Sequence, residues 1–283
     1  MGSIKNMSSN ERVRGVPREL KLLCIGNSFS QDAVEHLYIV AKVLGIEKVL
    51  IGNIYKGGCS LNTHYSNILD SSAAYNFFYA DDTTKKITED PVMRDLKYCI
   101  EYADWDIITM QQASNQSGVE SYYDNLGAFI EKVKELKPER SRFFWHMTWA
   151  YQSDSSHPGF ANYGTDQLTM YRAIVSTVEK LIETNDNFVG VIPSGTAIQN
   201  LRTSPLGDTL TRDGFHLSLG IGRYTAALTY LAAITGADIS GITAYPEAYP
   251  EVGENLELIK KAVSAAIKNP KGVTPLLSKS KNR

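Results

Sequence analysis

The stretch Leu22-Leu23-Cys24-Ile25-Gly26-Asn27-Ser28-Phe29-Ser30 predicts the fold of this chain more strongly than any other. Its apolar start is typical of a buried strand, and helical spacing of apolar residues begins near Asp32. Gly26 permits a tight turn between the two elements. Ser28 is therefore expected at the carboxyl end of a strand and beside the unpaired N–H groups of a helix. A nucleophile suits that position, and so does a helix-capping serine, so both interpretations stay open.

Strand and helix signals alternate along the rest of the chain. Apolar runs predict further strands at 48–55, 106–110, 142–147 and 188–192, and periodicity predicts helices at about 32–44, 93–103, 121–136, 165–184 and 219–234. The aromatic segment 74–89 predicts a β-hairpin or an irregular excursion. Such alternation is typical of an α/β domain with a parallel sheet, here of five strands.

The 283 residues are enough for one large domain. We expect that domain at 19–270, after a polar segment at 1–18 and before a polar, basic tail at 271–283. Residues 1–18 lack the apolar core of a secretory signal. The protein is therefore expected in the cytoplasm if Met1 is the natural start, and in the periplasm or outside the cell if a signal peptide has been removed.

The composition disfavours several classes of partner and site. The formal net charge is −2 and there is no long basic run, so a nucleic-acid partner is not expected. No apolar run reaches the roughly 18 residues that cross a membrane. Cys24, Cys59 and Cys99 lack the spacing of a metal site or a disulfide framework.

Two polar turns follow the second and third predicted core strands. They are Lys56-Gly57-Gly58-Cys59-Ser60 and Gln111-Gln112-Ala113-Ser114-Asn115-Gln116. The carboxyl ends of parallel strands share one edge of a sheet, so both turns are expected near Ser28. The amides suit an oxyanion hole or a sugar-hydroxyl site, although turns without a catalytic role have the same composition. Strand alternation predicts that Gln111 and Gln112 point to opposite sides.

Asp213 and His216 precede the last predicted helix of the series. A spacing of three residues lets the carboxylate reach the imidazole, fix its tautomer and stabilise its charged form, as a base that activates a serine requires. The same spacing also arises by chance.

The fourth predicted strand ends in aromatic residues. His146, Trp149 and Tyr151 suit either a sugar-binding wall or simple packing. His146 is expected to line the site or pack rather than act as the base, because no carboxylate lies at a short spacing from it. The polar loop 152–163 that follows is predicted to act as a lid.

Four blocks of this sequence occur in the order of the blocks of the SGNH, or GDSL-type, hydrolases. They are the Ser28 turn, Gly57-Gly58, the amides of 111–115 and Asp213-x-x-His216. The chain resembles in particular a bacterial SGNH-like branch whose first block reads Gly-Asn-Ser-Phe-Ser, and the resemblance covers about 20–236. It implies a flavodoxin-like three-layer α/β/α fold and serine hydrolase chemistry on esters, with no metal or organic cofactor.

The resemblance also implies roles for individual residues. Ser28 matches the nucleophile, His216 the base and Asp213 its carboxylate partner. The backbone N–H groups of Ser28 and Gly58 match oxyanion donors. The third block departs from the usual Gly-x-Asn-Asp and is closer to the Gln-Gly-Glu-Ser-Asn of sialate and xylan acetylesterases. The third donor therefore stays open among Gln111, Gln112 and Asn115.

These observations lead us to expect an esterase that removes a small acyl group, such as acetyl, from a carbohydrate. The expected partner is a small-molecule or glycan ester, and its predicted contacts are Asn115, His146, Trp149 and Tyr151. One alternative is a lipolytic esterase or thioesterase for longer acyl chains. Another is a glycan-binding protein of the same fold without catalysis.

Overall fold

The structure is a computed structural model that describes residues 16–137 and 139–276. Residues 1–15 of the predicted N-terminal segment and 277–283 of the predicted tail lie outside the described residues. Seven strands are found in the described part: β1 Glu19–Gly26, β2 Lys48–Tyr55, β3 Asn76–Asp81, β4 Thr88–Glu89, β5 Ile107–Met110, β6 Arg142–His146 and β7 Phe188–Ile192.

The described part also contains ten α-helices: α1 Ser28–Val34, α2 Leu37–Val43, α3 Leu61–Leu69, α4 Leu96–Glu101, α5 Leu126–Leu136, α6 Gln167–Leu181, α7 Ser194–Arg202, α8 Ile221–Thr235, α9 Pro250–Glu254 and α10 Leu256–Lys268. Three short 3₁₀ turns lie at Ser114–Gln116, Glu120–Tyr123 and Pro158–Tyr163. The fold is therefore α/β, as predicted.

All seven strands form one sheet in the order β4-β3-β2-β1-β5-β6-β7. β2, β1, β5, β6 and β7 run parallel, whereas β3 pairs antiparallel with β2 and β4 pairs antiparallel with β3. The sheet is mixed, so the prediction of five parallel strands alone was wrong. The predicted hairpin region supplies the two extra strands, because Phe77 and Ala80 of β3 are buried and extend the core beyond β2.

The helices form two connected groups. In one, α1 and α2 pack with α8, and α7, α8 and α10 pack on one another; in the other, α3, α4 and α5 pack together. The single helix predicted at 32–44 is two short helices, and the first begins at Ser28. The chain leaves helical geometry at His36, whose ring Nε2 contacts the carbonyl oxygen of Leu219 at 2.7 Å.

β1 lies between β2 and β5, so the turn that follows it is flanked by the turns that follow its two neighbours. Leu22 to Ile25 are buried, which fixes the strand in the middle of the core. This order brings the first three sequence blocks to one edge of the sheet.

Candidate active site

Ser28 is the first residue of α1 and lies directly after the turn that ends β1. Asn27 caps this helix, because its side-chain Oδ1 accepts a hydrogen bond of 3.0 Å from the backbone N–H of Phe29. A β-carbon on Gly26 would lie 2.6 Å from the Ser30 Oγ, so the tight turn requires glycine. Ser28 is half-buried, and within the described residues neither its hydroxyl nor its N–H has a hydrogen-bond partner.

Asn27 joins the turns after β1, β2 and β5. Its Nδ2 donates to the carbonyl oxygen of Cys59 at 3.0 Å, and its Oδ1 accepts from the Nε2 of Gln111 at 2.9 Å. Asn27 is buried, so these bonds form away from water and hold the three turns together. Gly58, which precedes Cys59, has φ +61° and an N–H without a partner among the described residues. The sequence-predicted oxyanion donors of Ser28 and Gly58 thus lie on adjoining turns.

The two glutamines after β5 have different surroundings. Gln111 contacts Asn27 and His146, while Gln112 contacts backbone groups at the start of α3 and in the 3₁₀ turn Glu120–Tyr123. These separate partners are what side chains that point to opposite sides would have. Gln112 donates from Nε2 to the Tyr122 carbonyl at 2.9 Å, and its Oε1 accepts from the N–H of Leu61. Its amide therefore holds loops in place, which does not support its predicted role in the oxyanion hole.

Gln111 is buried beside the turn that carries Ser28. Its Nε2 is bonded to Asn27, and its Oε1 accepts from the Nδ1 of His146 at 2.7 Å. Both ends of the Gln111 amide thus have protein partners. Its geometry supports a role in fixing Asn27 rather than the predicted role of direct oxyanion donor.

His146, at the end of β6, is a core residue. Its ring packs 4.7 Å from Tyr230, and its Nε2 is buried without a partner among the described residues. Burial lowers the pKa of His146 to about 3, so the ring is neutral. Packing, one of the two outcomes expected for His146, is what the structure shows. Direct contact with substrate is not supported, because the residue is only 1% exposed.

Asp213 and His216 form a hydrogen-bonded pair. The His216 Nδ1 lies 2.6 Å from the Asp213 Oδ2, and the other carboxylate oxygen accepts the backbone N–H groups of Phe215 and His216 at 3.2 and 2.7 Å. Partial burial raises the pKa of Asp213, but the hydrogen bonds from the ring and backbone of His216 outweigh it and hold that pKa below its usual value. Asp213 is therefore a carboxylate at neutral pH. The His216 Nε2 has no partner among the described residues.

Aromatic packing joins this pair to α1, the helix that begins at Ser28. The Phe29 ring, next to Ser28 in the chain, lies 6.0 Å from the His216 ring and stacks on Trp149 at 4.4 Å. The Trp149 Nε1 donates to the carbonyl oxygen of Phe215 at 2.8 Å. The fourth sequence block therefore docks against the first through Phe29 and Trp149.

Trp149 and Tyr151 support the site from below. Both are 0% exposed, so the prediction that they contact a substrate directly is not supported. The Tyr151 hydroxyl pairs with the Ser114 Oγ at 2.8 Å, and its ring packs 5.8 Å from Phe215. These rings position the loops that carry the polar residues.

Asn115 and Gln116 are the two amides after β5 whose side chains have no hydrogen-bond partner among the described residues, and the Gln116 Oε1 is buried. Its carbonyl oxygen accepts from the Asn162 Nδ2 and the Tyr163 hydroxyl at 3.0 and 3.1 Å. Gly159 approaches so closely that its β-carbon would lie 2.3 Å from the Asn115 Cβ. The loop predicted as a lid therefore fixes the Asn115 backbone and leaves its amide free.

His157, in the same loop, is a site residue that sequence reasoning missed. Its ring packs 4.7 Å from Phe215 and 4.8 Å from Tyr151. Its Nδ1 accepts the N–H of Gly159 at 3.0 Å, which leaves the proton of the neutral ring on Nε2. Burial and then the charge of His216 lower its pKa. The available signal in the sequence was a histidine within the polar loop 152–163.

No group of three or more histidine, cysteine, aspartate or glutamate side chains is placed to hold a metal ion within 16–137 and 139–276. No helix in that part of the chain combines the length and apolar character that crossing a membrane needs. The arrangement offers a serine hydroxyl, an imidazole oriented by a carboxylate, and free N–H donors from two turns. Those groups suit attack of a hydroxyl on a carbonyl carbon.

Residues 21–264 match the family described as a domain of unknown function, DUF4886. The chain is also similar to a solved structure, the crystal structure of a DUF4886 family protein from Bacteroides uniformis. The two share 38% sequence identity with a TM-score of 0.85, over 91% of this chain and 98% of the other. No curated protein matches the chain.

Proposed function

This chain belongs to the DUF4886 family, and we propose that it is a serine esterase that removes a small acyl group from a polar alcohol. Ser28 is the nucleophile, His216 the general base and Asp213 the carboxylate that orients it. The order of the four blocks, which resembles that of the SGNH hydrolases, agrees with these roles.

The proposed reaction has two halves. The Ser28 Oγ bonds to the ester carbonyl carbon while the His216 Nε2 takes the hydroxyl proton, and the alcohol leaves with that proton when the carbon–oxygen bond breaks. Water then attacks the acyl-enzyme and gives a proton to the same nitrogen, which returns it to Ser28 as the acid leaves. The backbone N–H groups of Ser28 and Gly58 stabilise the oxyanion, and the free amide of Asn115 is the proposed third donor.

One observation carries this proposal: the 2.6 Å contact between the Asp213 carboxylate and the His216 Nδ1, with the opposite ring nitrogen unpartnered in the described chain. A carboxylate there stabilises the tautomer that has a lone pair on Nε2 and the imidazolium that forms on proton transfer. The packing of the His216 ring at 6.0 Å from the ring of Phe29, the residue after Ser28, supports this role.

The proposal includes a flavodoxin-like three-layer arrangement. Its five parallel strands lie in the order β2-β1-β5-β6-β7, which is the flavodoxin order when the parallel strands are numbered along the chain. The two separate helix groups support one helical layer on each face of the sheet. The site then lies at the carboxyl edge where the strand order reverses, around β1.

Polar groups at the rim favour a carbohydrate or another polar alcohol over a lipid. The Asn115 amide and the His157 Nε2 are both without partners among the described residues, so both are available to a hydroxyl-rich ligand. The proposed substrate class is therefore an O-acetylated sugar or glycan.

A fluorophosphonate probe followed by peptide mapping tests the nucleophile. We expect covalent labelling of Ser28, no labelling in Ser28→Ala, and normal labelling in Ser30→Ala. Ser30 is the control because it lies two residues after Ser28 on the same helix, whereas its hydroxyl donates to the Asn53 Oδ1 at 2.7 Å. Full labelling of the Ser28→Ala protein contradicts the proposal.

Substrate preference is tested with 4-nitrophenyl acetate, butyrate and octanoate, together with acetate release from acetylated xylan. We expect the acetate ester to have the highest kcat/KM of the three and acetate to be released from the glycan. A preference for octanoate favours the lipolytic alternative. Glycan binding without turnover of any ester favours the non-catalytic one.

A further inference from the structure

Asp32 is a buried carboxylate on the helix that begins with Ser28. It lies one helical turn after Ser28 and is 1% exposed. Its Oδ1 accepts from the Arg212 Nη1 and the Arg223 Nε, both at 2.9 Å, and its Oδ2 accepts from the Leu217 N–H at 2.8 Å. One side chain of the helix that begins with Ser28 thus holds three groups that lie 180 to 191 positions later in the chain.

The segment that Asp32 holds carries the Asp213–His216 pair. Arg212 and Leu217 lie on either side of the pair, and the Arg212 N–H donates to the His216 carbonyl oxygen at 2.9 Å. An isolated antiparallel bridge between Thr211 and Leu217 closes the turn. Asp32 is therefore bonded to the turn near both of its ends, at Arg212 and at Leu217.

A carboxylate is needed here because two cations converge on it. The guanidinium groups of Arg212 and Arg223 share the Asp32 Oδ1. Without a negative charge between them, these cations would repel and push the turn away from α1. A neutral residue at position 32 can still accept from the Leu217 N–H, but it leaves Arg212 without a carboxylate partner among the described residues, whereas Arg223 keeps Glu35, whose Oε2 lies 3.6 Å from its Nη1.

We propose that Asp32 is a positioning residue that sets the distance between His216 and Ser28 by fixing the 211–217 turn on α1. This inference rests on the proposed function, because it assigns Asp32 a role in the same Ser28–His216 pair. Asp32 itself touches no reacting atom. A displacement of about 1 Å between base and nucleophile lowers turnover by roughly 100-fold.

The test compares Asp32→Asn with Asp90→Asn. Asp90 is a matched control, because it accepts two bonds from Arg94 and one from the Val92 N–H but lies beside the far edge strand β4. Asp32→Asn keeps the shape of the side chain, and Asp32→Ala is the second variant. The three proteins and the wild type are assayed for melting temperature, kcat and KM on 4-nitrophenyl acetate, and fluorophosphonate labelling rate.

For Asp32→Asn we expect kcat and the labelling rate to fall by about 100-fold while KM changes by less than about threefold. Asp90→Asn should keep wild-type kcat even where its melting temperature falls. Wild-type kcat and labelling in a folded Asp32→Asn or Asp32→Ala protein overturn the inference. A loss of kcat in Asp90→Asn equal to that in Asp32→Asn overturns it as well, because general destabilisation then explains both.

Hydrogen exchange separates failure of this inference from failure of the proposed function. Backbone amides of 212–217 should exchange faster in Asp32→Asn than in the wild type, and amides of the same segment should be unchanged in Asp90→Asn. If the wild type neither reacts with the probe nor hydrolyses esters, the proposed function fails whatever the exchange shows. If the wild type is active but neither exchange nor turnover responds to Asp32→Asn, only the positioning role fails.

Discussion

The end of β6 and the turn at 211–217 each carry a histidine, and the two rings differ in what holds them. His146 is buried and bonded to the neutral amide of Gln111. The side chain of His216 is 19% exposed and is bonded to the carboxylate of Asp213. Burial keeps the first ring neutral in any ordinary buffer, and the carboxylate prepares the second to accept a proton. The partner and the exposure of a histidine, rather than its nearness to a serine, decide whether it can serve as a base.

Replacing each histidine by alanine should give the largest difference between the two sites. His216→Ala is expected to lower kcat on 4-nitrophenyl acetate by about 10⁵-fold, because it removes the proposed general base. His146→Ala should lower it by less than about tenfold, through packing alone. Steady-state kinetics on both purified variants measure the difference. The reverse ranking would move the base to β6.

Replacing the carboxylate of Asp213 tests whether its contact with His216 matters for turnover. Asp213→Asn should lower kcat by roughly 10³- to 10⁴-fold, because an amide neither stabilises imidazolium nor fixes the tautomer with a lone pair on Nε2. The exposed Asp154 in the neighbouring loop provides the control, and Asp154→Asn should retain wild-type kcat. Equal activity of the two variants would show that the contact between Asp213 and His216 has no catalytic role.

The amides after β5 give a smaller effect. Asn115→Ala should reduce kcat and kcat/KM together by about 100-fold on both 4-nitrophenyl acetate and acetylated xylan, as loss of an oxyanion donor does. If Asn115 instead holds a sugar hydroxyl, only the kcat/KM for acetylated xylan should fall.

Gln112→Ala is the comparison for Asn115→Ala, and its main effect should be a lower melting temperature. Its amide bridges Tyr122 and Leu61, so its loss leaves buried backbone groups unsatisfied. Near-wild-type kcat in Asn115→Ala on both substrates would leave the backbone N–H groups as the complete oxyanion hole.

The smallest expected effect concerns acid stability. The pKa of His146 is about 3 in the folded protein and near 6.5 when unfolded, so between these values the unfolded chain binds the extra proton. This group therefore removes stability as the pH falls below about 6.5. His146→Gln should make the melting temperature fall less steeply than in the wild type between about pH 6.5 and pH 5. Parallel slopes for the two proteins would show that His146 is not buried in its neutral form.

The parts of the molecule that depend on local sequence were predicted well. The apolar run, Gly26 and the capping Asn27 are contiguous, so the turn that places Ser28 follows from short-range preferences. The strand bounds at 48–55 and 188–192 are those observed. The contact between Asp213 and His216 follows from their spacing within one turn.

The predictions that the structure does not support concern residues whose surroundings come from distant parts of the chain. Trp149 and Tyr151 were expected to face a substrate, but the stacking of Phe29 and the covering loop bury both. The partners of Gln112 come from α3 and a 3₁₀ turn that no local pattern joins to it. The local sequence marked Asp32 only as part of a helical pattern, because its partners Arg212 and Arg223 lie near the other end of the domain.

The three-way junction at Asn27 makes the geometry of the site a property of the whole sheet. Its partners are 32 and 84 positions away in sequence, so they meet only after both neighbouring strands have paired with β1. Closing loops of that length costs chain entropy that no local contact offsets. A fragment that contains only Ser28 and its helix therefore lacks these contacts, and any fluctuation that detaches β2 or β5 from β1 separates the three turns.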